Sequence, residues 1–219
     1  MEPILLEVRG DPPDPGVLAM VARHLDEGGL VAMPTETVYG FGAALREEAI
    51  RDIQRLKARG EEKPFLVLVP GPESVTELEW TPCARELAGI FWPGALTILL
   101  DDPGCRFPPG VRSAEGKVAI RWSPHPMAEG LLEALGEPLI STSVNLPRGV
   151  PAVTALEARE TAVSLGGGAD LWILDGGALP PSGPSTIVDC SGPEPIVVRA
   201  GSIPVNRLRC VFPELEEPA

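Results

Sequence analysis

Pro34-Thr35-Glu36-Thr37-Val38-Tyr39-Gly40-Phe41-Gly42 directly follows a short apolar run, Leu30 to Met33, that reads as a buried strand. Hydroxyls, a carboxylate, a phenol and two glycines therefore stand at the end of a strand. In open α/β sheets ligands bind beside the carboxyl ends of strands. Taken alone, the stretch reads equally well as an ordinary turn made by Pro and Gly.

Outward from this stretch, strand-like and helix-like segments alternate. Ile4 to Val8 reads as a strand. Asp14 caps a helix with Pro15 at its first position, Leu18, Val21, Ala22 and Leu25 share one face, and Gly28-Gly29 ends it. A helix spans about Glu47 to Ala58, and Phe65 to Val69 is a strand. Thr81-Pro82 opens a helix to about Phe91, and Ser123-Pro124 opens another to Leu135. Ala95 to Leu100, Val118 to Trp122 and Pro138 to Ser143 read as strands. Thr154-x-x-Glu157 is a capping box for a helix to Leu165. Leu171 to Leu174, Thr186 to Asp189 and Ile196 to Arg199 finish the sheet. The alternation predicts an α/β fold, and strands that follow one another without a helix predict a mixed sheet. Residues 1–210 are expected to form one domain, and 211–219 an acidic, frayed tail.

The chain has 219 residues, enough for a sizeable core, and a formal net charge of −13. Bulk electrostatics therefore oppose nonspecific binding to nucleic acid or anionic membrane. An anionic ligand would need a local cluster of cations. No apolar run approaches a bilayer span and no leader-type segment opens the chain, so the expected location is cytoplasmic, with no membrane partner. Cys83, Cys105, Cys190 and Cys210 form no C-x-x-C pair and are expected as buried small residues. His24 and His125 are the two histidines, too few for a multi-His metal site, and no metal is expected on protein ligands.

No standard nucleotide-binding motif fits the chain. Gly110 to Lys117 resembles a P-loop but is one residue too long, and Val118 stands where Ser or Thr is needed. The cluster Lys57, Arg59 and Lys63 is more promising. Cations at a helix end can satisfy terminal carbonyls, which explains Lys57 alone, but three of them in an acidic chain suit a phosphate chain. Ser141-Thr142-Ser143-Val144-Asn145 ends a strand that begins apolar, and such groups are costly there unless hydrogen-bonded or used. Pro184-Ser185-Thr186-Ile187-Val188-Asp189 repeats the theme at a strand start. Arg121 and Arg199 each end a strand. One such Arg is usually a solvated surface residue; two, with these hydroxyls, point to a shared polar cavity.

The run P-T-E-T-V-Y-G, then K-x-R at Lys57 to Arg59 with Lys63-Pro64, then W-P-G-A-L-T, V-A-I-R, S-x-N at Ser143 to Asn145, P-S-T-I-V-D and V-R-x-G resembles the YrdC/Sua5 family. Order and spacing match from about residue 14 to residue 203. The sequence is most similar to the single-domain, TsaC-like members, since it ends without a further C-terminal domain. The resemblance implies an open, twisted α/β sheet with flanking helices and a large concave cavity. It also implies a synthase joining L-threonine, bicarbonate and ATP, with Mg²⁺ accompanying ATP, to give L-threonylcarbamoyladenylate and pyrophosphate. Partner t6A transferase proteins then carry the threonylcarbamoyl group to adenosine in tRNA.

Residue by residue, the resemblance implies a catalytic set of Lys57, Arg59, Ser143 and Asn145. It implies ATP contacts from Arg59, Lys63, Asn145 and Arg199, and threonine contacts from Thr35, Arg121, Ser143 and Ser185. Two positions depart from the family pattern: Leu68 stands where a His is common, and Gly60 where a Pro is common. The competing reading is a YciO-like or YrdC-like RNA-binding module without synthase activity. The K-x-R and S-x-N pair favours the synthase, and the acidic charge leaves only weak direct RNA contact. A carbamoyl-transfer domain of hydrogenase maturation proteins would belong to a far longer chain.

Overall fold

Helix starts are decided by local side chains. In the computed structural model, which describes residues 2–8, 10–58 and 64–215, Asp14 Oδ1 accepts from Gly16 N at 2.7 Å and starts α1 (Pro15–Asp26). Thr81 caps α3 (Pro82–Phe91), and Thr154 with Glu157 completes the expected capping box of α5 (Ala155–Ser164). The helix expected from Ser123-Pro124 begins later. His125 Nδ1 accepts from Met127 N at 3.2 Å and caps α4 (Pro126–Leu135). The remaining helices are α2 (Glu47–Leu56) and a short α6 (Val205–Arg209) that the sequence pattern does not reveal.

The strands are β1 (Ile4–Glu7), β2 (Leu30–Pro34), β3 (Tyr39–Ala44), β4 (Leu66–Leu68), β5 (Leu96–Asp101), β6 (Lys117–Arg121), β7 (Leu139–Ser143), β8 (Leu171–Asp175), β9 (Thr186–Asp189) and β10 (Ile196–Arg199). They form one sheet in the order β1-β8-β2-β3-β7-β4-β6-β5-β9-β10. Its polarity is mixed, as expected: β8 runs parallel to β1 and β2, β4 to β6 and β5 to β9, and the other neighbours are antiparallel.

Part of the 34–42 stretch is not a loop. From Tyr39 it is a fully buried strand, returning antiparallel to β2 and pairing on its other side with β7.

Helices cover both faces. α1 and α4 pack together with Val31, Met33, Leu68 and Leu139 in one apolar cluster. Residues from α2, α3 and α5, such as Ile53, Leu87 and Ala158, pack in a larger cluster with Phe41, Val67 and Ile120. Leu68, the departure from the family pattern, is fully buried in the first cluster. Alternation along β4 places Leu66 on that same face, further along the strand. Leu66 packs at the edge of that cluster and lines a concavity.

Cys83 and Cys190 are buried as expected, whereas Cys105 and Cys210 are exposed. The tail begins anchored, because Leu215 is buried in the larger cluster. Residues 216–219 lie outside the described residues.

Candidate active site

The floor of the concavity is the sheet itself. Gly42, Ser141, Leu66 and Ala119 are cross-strand neighbours in register on β3, β7, β4 and β6. Three of these, with Gly40, Thr97, Arg121 and Ile187, line a cavity of about 330 Å³. An added Cβ at Gly40 would lie 2.7 Å from Ser141 Oγ, so the glycine lets β3 approach β7 closely beneath the cavity.

Five residues picked from the sequence meet in its wall: Thr35, Arg121, Ser143, Ser185 and Arg199. Thr37, Thr97, Ser141 and Thr142 also line it; each stands in a motif quoted from the sequence, but none was assigned to a ligand. Val38 lines the cavity as well, so the turn between β2 and β3 presents both parities to it and no local period marks these side chains.

The first wall is an ordered relay of hydroxyls. Thr35 Oγ1 donates to Val38 O at 2.8 Å, so its only proton is committed. The 3.1 Å contact between Thr37 Oγ1 and Thr35 Oγ1 must then be donated by Thr37. Thr37 Oγ1 in turn accepts from Arg121 Nη1 at 3.4 Å. Thr35 Oγ1 also accepts from Thr37 N at 3.3 Å and Val38 N at 3.4 Å, so neither threonine hydroxyl has a proton to offer a ligand.

Arg121 is 4% exposed, and its Nε has no hydrogen-bond partner. Burial pushes its pKa below the ordinary arginine value, partly offset by Glu36, whose Oε1 lies 3.5 Å from Nη1. On the opposite wall Arg199 donates from Nη2 to Ser185 O at 2.7 Å and to Ser185 Oγ at 3.2 Å. Ser185 Oγ lies 2.8 Å from Thr97 Oγ1. Burial, and then the like charge of Arg121, lower the pKa of Arg199. Both guanidiniums remain charged. Among the described residues lining the cavity none is acidic. An anion entering between the arginines would relieve their repulsion and the desolvation of Arg121.

Behind Ser143 of the wall, contacts join distant segments, and Lys57 and Asn145 do not themselves line the cavity. Lys57, the residue after α2, donates from Nζ to Ser143 O at 2.9 Å, Asn145 O at 2.7 Å and Asn145 Oδ1 at 3.0 Å. Ser143 Oγ also donates to Asn145 Oδ1, at 2.6 Å. The structure thus brings the K-x-R lysine onto the S-x-N turn. Arg59 and Lys63 lie outside the described residues, but Lys57 on one side and Pro64, which lines the cavity, on the other border the site. Among the described residues no group of three or more His, Cys, Asp or Glu could hold a metal ion, and no helix is long and apolar enough to cross a membrane.

A cavity on an open mixed sheet, walled by paired hydroxyls and two arginines, is the arrangement the motifs implied. Residues 23–201 match the Sua5/YciO/YrdC family, described by the words "Telomere recombination". The chain belongs to the Sua5/YciO/YrdC family.

Two relatives in it are similar over most of this chain. The threonylcarbamoyl-AMP synthase of Bacillus subtilis (strain 168) is 34% identical over 198 residues, 89% of this chain and 56% of that protein. That of Nitrosococcus oceani is 36% identical over 173 residues, 78% of this chain and 91% of that protein. This chain therefore spans little more than half the length of the B. subtilis relative. Among solved structures, P. abyssi Sua5 complexed with L-threonine superposes with a TM-score of 0.87 at 29% identity, over 99% of this chain and 62% of that one. E. coli YciO superposes at 0.78 and 25% identity, over 92% of this chain and 96% of that one. The Sua5/YciO/YrdC fold expected from the sequence is the fold found.

Proposed function

We propose that this chain is an L-threonylcarbamoyladenylate synthase, a nucleotidyltransferase that joins L-threonine, bicarbonate and ATP and releases pyrophosphate. The observation that carries the reading is Arg121: a buried guanidinium with an unpartnered N–H, facing a cavity of hydroxyls in a strongly acidic chain. A planar fork of this kind suits a carboxylate, which it can bond through both oxygens. The relatives named threonylcarbamoyl-AMP synthases and the threonine complex of P. abyssi Sua5 support the same substrate.

On this reading Arg121 holds the threonine carboxylate. Thr35 contributes an acceptor for an N–H or O–H of the substrate, and Ser143 and Ser185 contribute hydroxyls. The threonine amine takes up the carboxyl group of bicarbonate with loss of water, and the carbamate oxygen then attacks the α-phosphorus of ATP as pyrophosphate leaves. Both reactants are anions, so the task is to neutralise charge and align them rather than to move protons. Arg199, Arg59 and Lys63 supply charge to the nucleotide, while Lys57 fixes the turn that carries Ser143 and Asn145. Mg²⁺ enters with ATP, bound through phosphate oxygens. The product passes to t6A transferase proteins that modify tRNA, and the acidic surface keeps any direct RNA contact weak.

Incubating the purified protein with ATP, ¹⁴C-bicarbonate and L-threonine tests the proposal. Pyrophosphate release should require threonine and bicarbonate, and label should appear in an adenylate. Release that is absent, or indifferent to threonine, would overturn it in favour of the module without synthase activity.

A further inference from the structure

Glu36 stands between two cavity residues, Thr35 and Thr37, yet is not part of the cavity wall. In the turn between β2 and β3 its side chain reaches Ser123 and Arg121 instead. Its carboxylate is asymmetrically held. Oε2 accepts from Ser123 Oγ, and the same hydroxyl accepts from His125 N at 3.3 Å, so a fully buried serine anchors one oxygen. Oε1 is buried without a hydrogen bond, 3.5 Å from Arg121 Nη1. The charges are therefore close enough to attract strongly in a poorly solvated place, but the carboxylate does not occupy the fork of the guanidinium.

We infer that Glu36 is the positioning residue of the site: tethered by Ser123, it is the countercharge that keeps Arg121 seated in the cavity wall while leaving its N–H groups for a ligand carboxylate. The role of that ligand rests on the synthase reading. A carboxylate in bidentate contact would compete with substrate, and no carboxylate would leave a buried cation uncompensated, which drives the side chain toward water. The observed spacing avoids both. The other titratable groups nearby are Arg199, a like charge to Arg121, and His125, which feels both Glu36 and Asp11.

The test uses Glu36→Gln, which keeps shape and acceptor but removes charge, Glu36→Ala, which leaves room for a small anion, and Ser123→Ala, which keeps the charge and removes its tether. The first readout needs no substrate. Thermal midpoints are measured with and without formate. Formate should stabilise Glu36→Ala more than wild type by replacing the lost countercharge, and an equal formate effect on the two overturns the inference. The second readout is calorimetric. Glu36→Gln should weaken threonine about tenfold or more, the worth of a charge-assisted hydrogen bond, with ATP affinity unchanged. Ser123→Ala should do the same to a lesser degree. Threonine bound equally well by the folded variants, or threonine and ATP weakened alike, overturns it. If wild type itself binds no threonine, the synthase reading fails, and the formate readout still decides the role of Glu36.

Discussion

The Nζ of Lys57 and the amide of Asn145 meet across 88 positions of sequence, and the ammonium bonds both the side-chain and main-chain oxygens of the asparagine. This cation fastens the end of α2 to the turn after β7. Asn145 in turn donates to Leu146 O at 2.7 Å, so the turn is pinned from both sides. Lys57→Met should lower synthase activity tenfold or more, since a charge-assisted bond is worth about 1.5–3 kcal/mol. A double-mutant cycle with Asn145→Ala, read as pyrophosphate release, should be strongly non-additive. Additive losses would show that the two act separately.

Arg121→Lys retains the charge but not the fork. Threonine affinity should fall about tenfold or more through lost charge-assisted bonds, with ATP affinity little changed. Calorimetric titration of each ligand separates the effects. An ATP-selective loss would mean that the two halves of the cavity have been assigned in reverse.

His125 gives the protein a mildly acid-sensitive joint. Burial holds its imidazole below the ordinary 6.5, although Glu36 and Asp11 pull the other way. The folded value is depressed, so the unfolded chain takes up this proton first. The stability it contributes is complete above about pH 6.5 and is lost as pH falls through the folded value. His125→Asn keeps an acceptor for Met127 N and removes the titration. Urea midpoints compared between about pH 7.5 and 5.5 should fall less in the variant than in wild type. Parallel slopes would refute the assignment.

A methyl group at Gly201 would lie 2.3 Å from Pro184 O and 2.6 Å from Ser185 O. The glycine of the V-R-x-G motif is thus required by the backbone it touches, and that backbone carries the acceptor of Arg199. Gly201→Ala should destabilise the fold by about 1–3 kcal/mol, as overpacking does, and reduce activity along with it. An unchanged denaturation midpoint would mean that the segment yields freely.

Leu68 is a core residue here, so restoring the family's histidine should not create a substrate contact. Leu68→His removes a fully buried leucine and buries an imidazole among apolar side chains. A loss of about 2 kcal/mol or more in urea denaturation is expected, with no gain in threonine affinity. Improved threonine binding would mean that the side chain at this position reaches the cavity.

The sequence made some parts of the molecule legible for physical reasons that also mark the limits. Helix starts at Asp14, Thr81 and Thr154 are local events, decided by a side chain and the next three residues. The hydroxyls at Ser143 and Ser185 were conspicuous because polar groups at strand ends need partners. Tyr39–Ala44 was not recognised as a strand because its glycines and alanines have little β-propensity. It is a strand because those small residues admit Val31, Leu139 and Ser141 from its neighbours. The partners of Lys57 and Glu36 were equally invisible, since nothing in a local pattern announces a bond to residues some 87 positions away.

The floor of the cavity has a kinetic consequence. Gly42, Leu66, Ala119 and Ser141 become neighbours only when strands from four separate parts of the chain have paired. Such a topology has high contact order, and its pairing is slow because loop-closure entropy is lost before the contacts reward it. The pocket therefore cannot exist in a half-folded chain. During synthesis it stays absent until the segment bearing Ser185 and Arg199 has left the ribosome. Substrate can then act only on the finished sheet, holding it together rather than guiding its assembly.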